Sequence, residues 1–503
     1  MGSSRLTPTL PVTLPRHQID PDALFVVRRL QEAGFFTCLV GGCVRDILLG
    51  RRPKDFDVGT EATPNQVKRV FRNCRLIGRR FRLAHIHFGA KIIEVATFRG
   101  GAGEGAEASP DQLGLPADAL ERLAPQRLPE PLAGDDDMVG VEDEATDDAD
   151  GAADDADGAE GDTEGDTEGD DAKLVSDDLL VVRANNFGTP EQDAQSRDFT
   201  VNGLFYDPIA ERVIDHVNGY EDLRHGIIRT IGPAEQRFRE DPVRILRAVK
   251  FAARLGFHVE DEAWRAMRTV APDILKCPIP RVTEELYRIA ECTHATRAFE
   301  VMADAGVLEV VLPEVAEFRA EQREIYDGHL ATIDRLGLAH GGLPRDFLVT
   351  TIYYPLALRV VAVAELTPGP SWGVAVDEWF RPIGVRMHVP IRHRQRMRSV
   401  LSTLGRMMAP GSTKRRIRLS TGERAALPQA LTLLRMHERQ GLVPRETYER
   451  WRELGVELGM SWVPNGAGEV PEFDDDGSDA PPPGAQRPRG RRRRGRNRGQ
   501  SAP

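Results

Sequence analysis

The sequence predicts an α+β protein in which a small domain with a mixed or antiparallel sheet precedes a long helical region. Two patterns carry this prediction. Up to about residue 215, short apolar runs bounded by glycine or proline alternate with short amphipathic stretches, as expected of strands and helices around one core. From there to about residue 460, apolar residues recur at helical spacing instead.

The first domain opens with a helix that begins after an aspartate cap and a proline, Asp20-Pro21, and that ends at Gly34. Residues 35–40 are predicted to form a strand, followed by a turn at Gly41-Gly42 and a short helix. The remaining elements predicted here are a strand at 55–58, a helix from Thr63-Pro64, strands at 84–88 and 91–98, a strand-like run at 199–201 and a strand at 204–206.

The helical region includes an amphipathic stretch at 240–251, where Val243, Leu246 and Val249 share one face. We expect a division into parts with different roles. The predicted parts are a flexible leader at 1–18, the sheet domain at 19–215, a helical neck at 216–290, and a helical body and tail at 291–464.

Two segments are predicted to be disordered, because they hold too little apolar area to offset chain entropy. They are an acidic insert at 101–172 and the end of the chain at 465–503. The net charge of −11 is misleading, since residues 131–172 hold 19 acidic and no basic residues, which leaves the rest of the chain at +8. This remainder, with eight arginines between Arg487 and Arg498, suits a polyanionic partner.

The composition also excludes some classes of protein. Hydrophobic residues make up 40% of the 503 positions, enough for two to four domains with real cores. No run approaches about 18 uninterrupted apolar residues, so no membrane span is expected. Five scattered cysteines form no Cys-x-x-Cys pair, which indicates reduced thiols and a cytoplasmic location.

The strongest chemical signal is the pair Asp55 and Asp57 shortly after Gly41-Gly42. On a strand, residues two apart point to the same face, so both carboxylates would lie together. Hard divalent cations such as Mg²⁺, with Mn²⁺ as an alternative, favour such ligands and keep open positions for phosphate oxygens. A Gly-Gly turn at a helix start exposes backbone N–H groups to phosphate. Together these features indicate nucleotide chemistry.

Further candidates complete the pattern. Glu94, in a strand that can neighbour the aspartates, is a candidate third carboxylate, although a surface charge is the alternative. Arg197 has the fork geometry that suits phosphate, and Asp198 can accept from a ribose hydroxyl or order the arginines. Asp241 and Arg244 stand three apart at a helix start and offer acceptors and donors to a base edge, although spacing alone favours an ordinary salt bridge.

Five segments in order resemble the class II tRNA nucleotidyltransferase and bacterial poly(A) polymerase family. They are Leu39–Asp46, Lys54–Val58, Glu94–Arg99, Arg197–Asn202 and Arg239–Arg244. The resemblance implies a polymerase-β-like nucleotidyltransferase head with helical neck, body and tail. It also implies catalysis by Asp55, Asp57, Glu94 and Asp198 and base selection by Asp241 and Arg244. The nucleotide contacts that it implies are Gly41, Gly42, Arg45, Asp46, Arg197 and Asn202.

The segment Leu76–His85 resembles the poly(A) branch of the family rather than the CCA-adding branch. Its Arg79, Arg80 and Arg82 are candidates for binding RNA, as are Arg392 and Arg394 in a basic run further on, with a solvated basic face as the alternative for both. Two departures from the family pattern are Ser196, where a second arginine is common, and Gly203, where serine or alanine is usual.

The sequence therefore predicts a cytoplasmic poly(A) polymerase that adds AMP units from ATP to the 3′ ends of RNA, such as mRNA and small RNA, without a template. One alternative is a CCA-adding or A-adding tRNA enzyme, which shares the chemistry but not the product. Another is a non-catalytic RNA-binding factor, which the intact pair Asp55 and Asp57 disfavours.

Overall fold

The computed structural model describes residues 9–10, 12–78, 83–100, 187–291, 293–340, 342–410 and 418–459. They form two compact units. The first comprises the described residues up to Val363 together with Glu378–Arg394, and the second comprises Ala364–Asp377 with the described residues from Gln395 onward. The predicted fold class is confirmed, because a mixed sheet is followed by a helical region. The finer division at 215/216 and 290/291 stays a prediction.

The first unit is built on an eight-stranded sheet. Its strands are β1 (Thr9–Leu10), β2 (Thr37–Val40), β3 (Asp57–Thr60), β4 (Cys74–Ile77), β5 (Leu83–Phe88), β6 (Lys91–Thr97), β7 (Leu204–Asp207) and β8 (Arg212–Asp215). Their order in the sheet is β1-β8-β7-β2-β3-β6-β5-β4. Strands β3 and β6 run parallel, whereas the other neighbouring pairs are antiparallel. A separate parallel pair consists of β9 (Ile227–Ile228) and β10 (His258–Val259).

Helices alternate with these strands along the chain and make up most of the described residues after them. The helices of the sheet domain and neck are α1 (Pro21–Glu32), α2 (Gly42–Leu48), α3 (Pro64–Val70), α4 (Pro190–Ser196), α5 (Gly219–His225), α6 (Ala234–Glu240), α7 (Val243–Leu255), α8 (Asp261–Val270) and α9 (Ile279–Glu291). They are followed by α10 (Ala295–Asp304), α11 (Leu308–Val311), α12 (Pro313–Glu321), α13 (Arg323–His340), α14 (Arg345–Val363), α15 (Ser371–Arg386), α16 (Ile391–Met408), α17 (Thr421–Arg439) and α18 (Arg445–Glu457).

Local sequence accounts for the first helices. Asp20 caps α1 by accepting hydrogen bonds from two backbone N–H groups, and Pro21 fills the first turn. Thr63 and Gln66 form a capping box at the start of α3. A core of buried residues joins strands β2, β7 and β8 with α4 and the end of β6; it is formed by Cys38, Val40, Phe98, Ala194, Phe205 and Ile214.

Two predicted elements of the sheet domain differ from the structure. The strand predicted at 55–58 lies at Asp57–Thr60, because pairing with β2 extends to Thr60 and places Asp55 before the strand. The run predicted as a strand at 199–201 is replaced by a 3₁₀ helix at Thr200–Asn202. There Asn202 donates to the Asp198 carboxylate four residues back, and such local side-chain bonds compete with strand pairing.

Two further predictions need correction, and several strands were missed. The leader predicted over 1–18 is partly structured, since β1 pairs with β8 and Leu14 is buried. The helix predicted over 240–251 is α7, which begins only at Val243 because Asp241 is extended before Pro242. Strands β1, β4, β8, β9 and β10 had no counterpart in the predicted elements.

Helix α14 is long and apolar enough to cross a membrane by length and composition alone. However, 61% of its apolar window is buried inside the protein, as in the core helix of a globular fold. Within the described residues no other helix passes this test. A single helix of this kind is weak evidence for a membrane span, which the sequence did not predict.

Candidate active site

A cavity of about 970 Å³ in the first unit lies where the sheet domain meets the neck helices. It brings together residues that are far apart in sequence, from α2 and β3 through the turn after α4 to α7 and α9. The predicted site residues that line it are Gly42, Arg45, Asp57, Arg197, Asp198, Asn202, Asp241 and Arg244.

The carboxylates predicted to be catalytic are held by two parallel strands. Asp57 begins β3 and is the register partner of Glu94 on β6, so both side chains lie on one face of the sheet. Partial burial raises the pKa of Asp57 above its ordinary value, and the negative charges of Glu94 and Asp55 raise it further against the opposing effect of Arg197. Asp55 therefore lies close enough to act on Asp57, although it precedes the strand.

This carboxylate arrangement fits a divalent cation. Among the described residues, no hydrogen bond or ion pair neutralises the side chain of Asp55 or Asp57, and the negative charges of Glu94 and Asp55 disfavour the charged form of Asp57. Oxygen donors of this kind suit Mg²⁺ or Mn²⁺. The described residues do not, however, contain a group of three or more His, Cys, Asp or Glu side chains already arranged to hold a metal. Completing the coordination would require water or phosphate oxygens.

Gly41 lies against Arg197, which lines the cavity. Gly41 has a φ of +74°, and a Cβ there would lie 2.6 Å from Nη1 of Arg197. The Arg197 guanidinium donates to the Asp193 carboxylate through Nε (3.0 Å) and Nη2 (2.9 Å), and to the carbonyl of Asn202 through Nη1 (3.2 Å). Glycine thus permits the close approach of a fixed cation, while the Gly41 N–H is already used by the carbonyl of Leu204.

A chain of hydrogen bonds between side chains connects α2 to α7. Arg45 donates to Asp46 and, through Nη1, to Oδ1 of Asn202 at 2.5 Å. Asn202 in turn donates to Asp198, which also accepts from Arg247 of α7 at 2.7 Å. Burial alone would raise the pKa of Asp198, but the Arg247 guanidinium and the bonds from Asn202 and the Phe199 N–H hold it below its ordinary value. In this structure Asp198 orders arginines, one of the two roles predicted for it.

Not every predicted residue reaches the cavity. Asp46 is buried and accepts from Arg45 and Arg254, so it fixes those arginines instead of facing the cavity. Gly41, Asp55 and Glu94 are not among the residues that line the cavity. Glu94 is half-exposed, with its carboxylate 3.5 Å from Nε2 of His85.

Asp241 and Arg244 lie at the corner between α6 and α7. Asp241 accepts from Nη2 of Arg281 at 2.9 Å, while its Oδ1 is buried without a partner among the described residues. Arg244 donates through Nη1 to the carbonyl of Arg237 (2.8 Å) and to Glu240 (3.1 Å). The Arg244 N–H donates to the Asp241 carbonyl at 3.0 Å, but the two side chains do not form the ordinary i, i+3 salt bridge, and both residues line the cavity.

Sequence reasoning missed the arginines that the neck helices contribute to the cavity. They are Arg247 on α7 and Arg281 and Arg288 on α9. Glu285, buried on α9, accepts from Lys250 (2.7 Å) and Arg288 (3.0 Å) and holds this cationic wall together. The position of Arg247, one turn after Arg244 on the same helix, was a signal that could have identified it.

Of the predicted RNA-binding residues, the structure describes Arg392 and Arg394, which are not among the residues that line the cavity. Arg79, Arg80 and Arg82 lie outside the described residues, as do the acidic insert and the basic end of the chain. Arg392 is exposed at the start of α16, whereas Arg394 is partly buried near Gly384, where a Cβ would lie 2.5 Å from its Cδ. Their role in RNA binding stays a prediction.

The two departures from the family pattern are accommodated locally. Ser196 lines the cavity and donates to the carbonyl of Asp193 at 2.8 Å. Gly203 is closely packed, since a Cβ there would lie 2.6 Å from Val217. The turn is therefore tightly packed at Gly203 and not loosened there.

Comparison with known proteins gives matches along most of the chain. Residues 37–125 and 156–229 match a family described as "Poly A polymerase head domain", and residues 256–319 match one described as "Probable RNA and SrmB- binding site of polymerase A". The chain is 31% identical over 495 residues to the poly(A) polymerase I of Salmonella typhimurium, an alignment that covers 97% of this chain and 91% of that protein.

CCA-adding enzymes are more distant relatives. The CCA-adding enzyme of Lactobacillus helveticus is 27% identical over 304 residues, covering 60% of this chain and 58% of that protein. A crystal structure of the Bacillus stearothermophilus CCA-adding enzyme in complex with CTP superimposes with a TM-score of 0.54 at 21% identity, covering 88% of this chain and 84% of that one. The structural likeness supports the fold of a sheet head followed by helices.

Proposed function

This chain belongs to the bacterial poly(A) polymerase family and is a polynucleotide adenylyltransferase, and on that basis we propose that it adds AMP units from ATP to RNA 3′ ends without a template. The observation that carries the proposal is that four residues with different proposed roles line one cavity. They are Asp57 as a carboxylate for the metal, Arg197 as a ligand for phosphate, and Asp241 and Arg244 as the pair that contacts the base. Nucleotidyl transfer requires such a combination, because the reaction depends chiefly on positioning and charge neutralisation.

The proposed roles follow from the contacts of each residue. Arg197, fixed by Asp193, and Arg45, fixed by Asp46 and Asn202, hold the triphosphate. Asp55, Asp57 and Glu94 supply the carboxylates that would hold Mg²⁺ or Mn²⁺, which neutralises phosphate charge and activates the 3′-hydroxyl when bound. Asp198 keeps Arg247 and Asn202 in place along the cavity.

Base selection is assigned to the corner between α6 and α7. Asp241 presents acceptor oxygens and Arg244 presents donors, and a purine edge needs both. Since Nη1 of Arg244 already donates to the carbonyl of Arg237 and to Glu240, its remaining N–H groups are the ones proposed to donate to the base. Burial opposes ionisation of Glu240, but its bonds from Arg244 and Gln236 and the charge of Arg237 hold its pKa below the ordinary value, which keeps it an anionic anchor.

The RNA is proposed to follow cationic surfaces next to the cavity. Arg281 and Arg288 on α9 lie within the segment that matches the RNA- and SrmB-binding family description. Arg392 and Arg394, together with Arg79, Arg80 and Arg82, remain proposed backbone contacts. The proposed substrates are mRNA and small RNA ends, and the proposed location is the cytoplasm, in line with the thiols of Cys38, Cys43, Cys74 and Cys277, which are free.

An incorporation assay tests this function. Wild-type protein, Mg²⁺ and either ATP or CTP are incubated with a tRNA that lacks its 3′ CCA and with an unstructured RNA, with Asp55→Ala as the inactive control. Long homopolymer from ATP on both RNAs supports the proposal. Loss of all ATP incorporation by the wild type with Mg²⁺ and with Mn²⁺ would overturn it in favour of a non-catalytic RNA-binding factor.

CCA addition is the second candidate, because a CCA-adding relative is 27% identical over 60% of this chain. It predicts incorporation that depends on CTP and is restricted to tRNA, and A-addition predicts one AMP on a tRNA that ends in CC. The four combinations of nucleotide and RNA therefore separate polyadenylation from CCA addition by nucleotide and by product length, and a third RNA, a tRNA that ends in CC, tests for A-addition.

A further inference from the structure

Arg237 on α6 lies at the junction between the turn that carries Arg197 and the corner that carries Asp241 and Arg244. Its side chain is largely buried, with 14% of its surface exposed. Through Nη2 it donates to the carbonyls of Ser196 (3.0 Å) and Arg197 (2.7 Å). Arg237 therefore holds the main chain of the turn that carries Arg197, whose side chain is the proposed triphosphate ligand.

The same residue holds the other half of the site. Through Nη1 Arg237 donates to Oε2 of Glu240 at 2.7 Å, and this oxygen also accepts from Arg244. The carbonyl of Arg237 accepts from Nη1 of Arg244 at 2.8 Å and from the N–H of Asp241 at 3.4 Å. Main chain and side chain of Arg237 thus contact each charged residue of the corner.

These contacts join segments that are about forty positions apart in sequence. Ser196 ends α4, whose last carbonyls have no partner inside the helix, and an arginine satisfies such carbonyls and interacts favourably with the helix dipole. The planar guanidinium does this with Nη2 while Nη1 binds Glu240, and a lysine ammonium, which carries a single nitrogen, cannot reproduce this geometry.

We propose that Arg237 is a positioning residue that sets the distance between the triphosphate arginine Arg197 and the base-reading corner at Asp241 and Arg244. This inference rests on the proposed function. Arg237 contacts neither metal ligands nor the carboxylates of β3 and β6 in the described structure, and it is not among the residues that line the cavity, so it acts through its neighbours.

Substitution of Arg237 is expected to lower kcat for ATP more than it changes KM. Triphosphate and base would each still find their ligands, but the α-phosphate would be misplaced relative to the 3′-hydroxyl, and small misplacements reduce the rate of the chemical step steeply. We expect Arg237→Lys to lower kcat for ATP by at least about tenfold while KM stays within about threefold.

Arg239 provides a matched control on the same helix. It pairs with Glu235 at 2.8 Å and with Asp273 at 3.3 Å, is half-exposed and lies outside the cavity lining. Arg239→Lys removes the same guanidinium fork from α6 without touching the turn at Ser196 and Arg197. Its kcat is expected to match that of the wild type within about twofold.

The experiment measures kcat and KM for ATP with Mg²⁺ and a short unstructured RNA, at a temperature where thermal unfolding shows each variant to be fully folded. Methylguanidinium is then added to Arg237→Ala and Arg239→Ala, and partial recovery of kcat in the first alone supports the proposal. Wild-type kcat in Arg237→Lys, or a decrease that only follows the unfolded fraction, overturns it. Absence of incorporation by the wild type would instead count against the proposed function.

Discussion

Asp57 on β3 and Glu94 on β6 occupy paired positions on two parallel, hydrogen-bonded strands. The pairing holds two carboxylates side by side on one face of the sheet, at the spacing of neighbouring strands, about 5 Å. Such an arrangement costs free energy without a cation, which agrees with the raised pKa of Asp57. The site thus has a charge arrangement that stability alone would not favour.

Asp57→Asn is expected to separate activity from stability. The rate of nucleotide addition should decrease by at least about a hundredfold, because a charge proposed to hold the metal is lost. The same decrease is expected for Asp55→Ala. The melting temperature should not decrease, since the repulsion of Asp57 by Glu94 and Asp55 is relieved. Turnover with ATP and thermal unfolding of the metal-free protein check this; a clear destabilisation by Asp57→Asn would contradict the electrostatic argument.

Gly41→Ala is expected to reduce activity by displacing Arg197. The substitution adds strain at a φ of +74° and places a Cβ 2.6 Å from Nη1 of Arg197. We expect a loss of about 1–3 kcal/mol in unfolding free energy and a higher KM for ATP.

Gly50→Ala is the control for that variant, because Gly50 has a φ of +69° with nothing within 4 Å of an added Cβ. It should lose stability, by about 1 kcal/mol, but keep the wild-type KM. Urea unfolding and ATP kinetics of both proteins distinguish the backbone effect from the contact with Arg197. Equal KM values in the two variants would show that Gly41 does not act through Arg197.

Asp198 and Arg247 should be energetically coupled. A double-mutant cycle with Asp198→Asn and Arg247→Met is expected to give about 1–3 kcal/mol of coupling at pH 7, since a largely buried pair is broken. The pKa of Asp198 is lowered in the folded protein, so its contribution is complete above the unfolded pKa near 3.8 and disappears as the pH decreases through the folded value. Coupling that stays constant down to pH 2 would contradict this assignment.

His329 on α13 should make stability depend on pH. Burial lowers its pKa from 6.5 to about 4, and its Nε2 lies 2.6 Å from the carbonyl of Thr351. The unfolded chain then binds the proton first, so stability is complete above pH 6.5 and decreases towards pH 4, by at most about 3 kcal/mol. Urea unfolding of the wild type and of His329→Gln across this pH range measures how the unfolding free energy of each depends on pH. The same pH dependence in both proteins would show that His329 is not buried in its neutral form.

Local rules accounted for much of the sheet domain. The aspartate cap and proline before α1, the turn at Gly41-Gly42 and the strands β5 and β6 were all predicted, because capping, turn chemistry and alternation act over a few residues. The same rules failed at Thr200–Asn202, where bonds between Asn202 and Asp198 favour a 3₁₀ helix over a strand.

By itself, the sequence determined the kind of chemistry and the α+β class, since the types and spacings of Asp55, Asp57, Arg197, Asp241 and Arg244 are readable along the chain. Tertiary structure alone decided which of them share a cavity, that Glu94 pairs with Asp57, and that Arg237 joins the two halves of the site. The reason is physical: strand register and helix packing bring together residues far apart in sequence, and no local pattern encodes those distances.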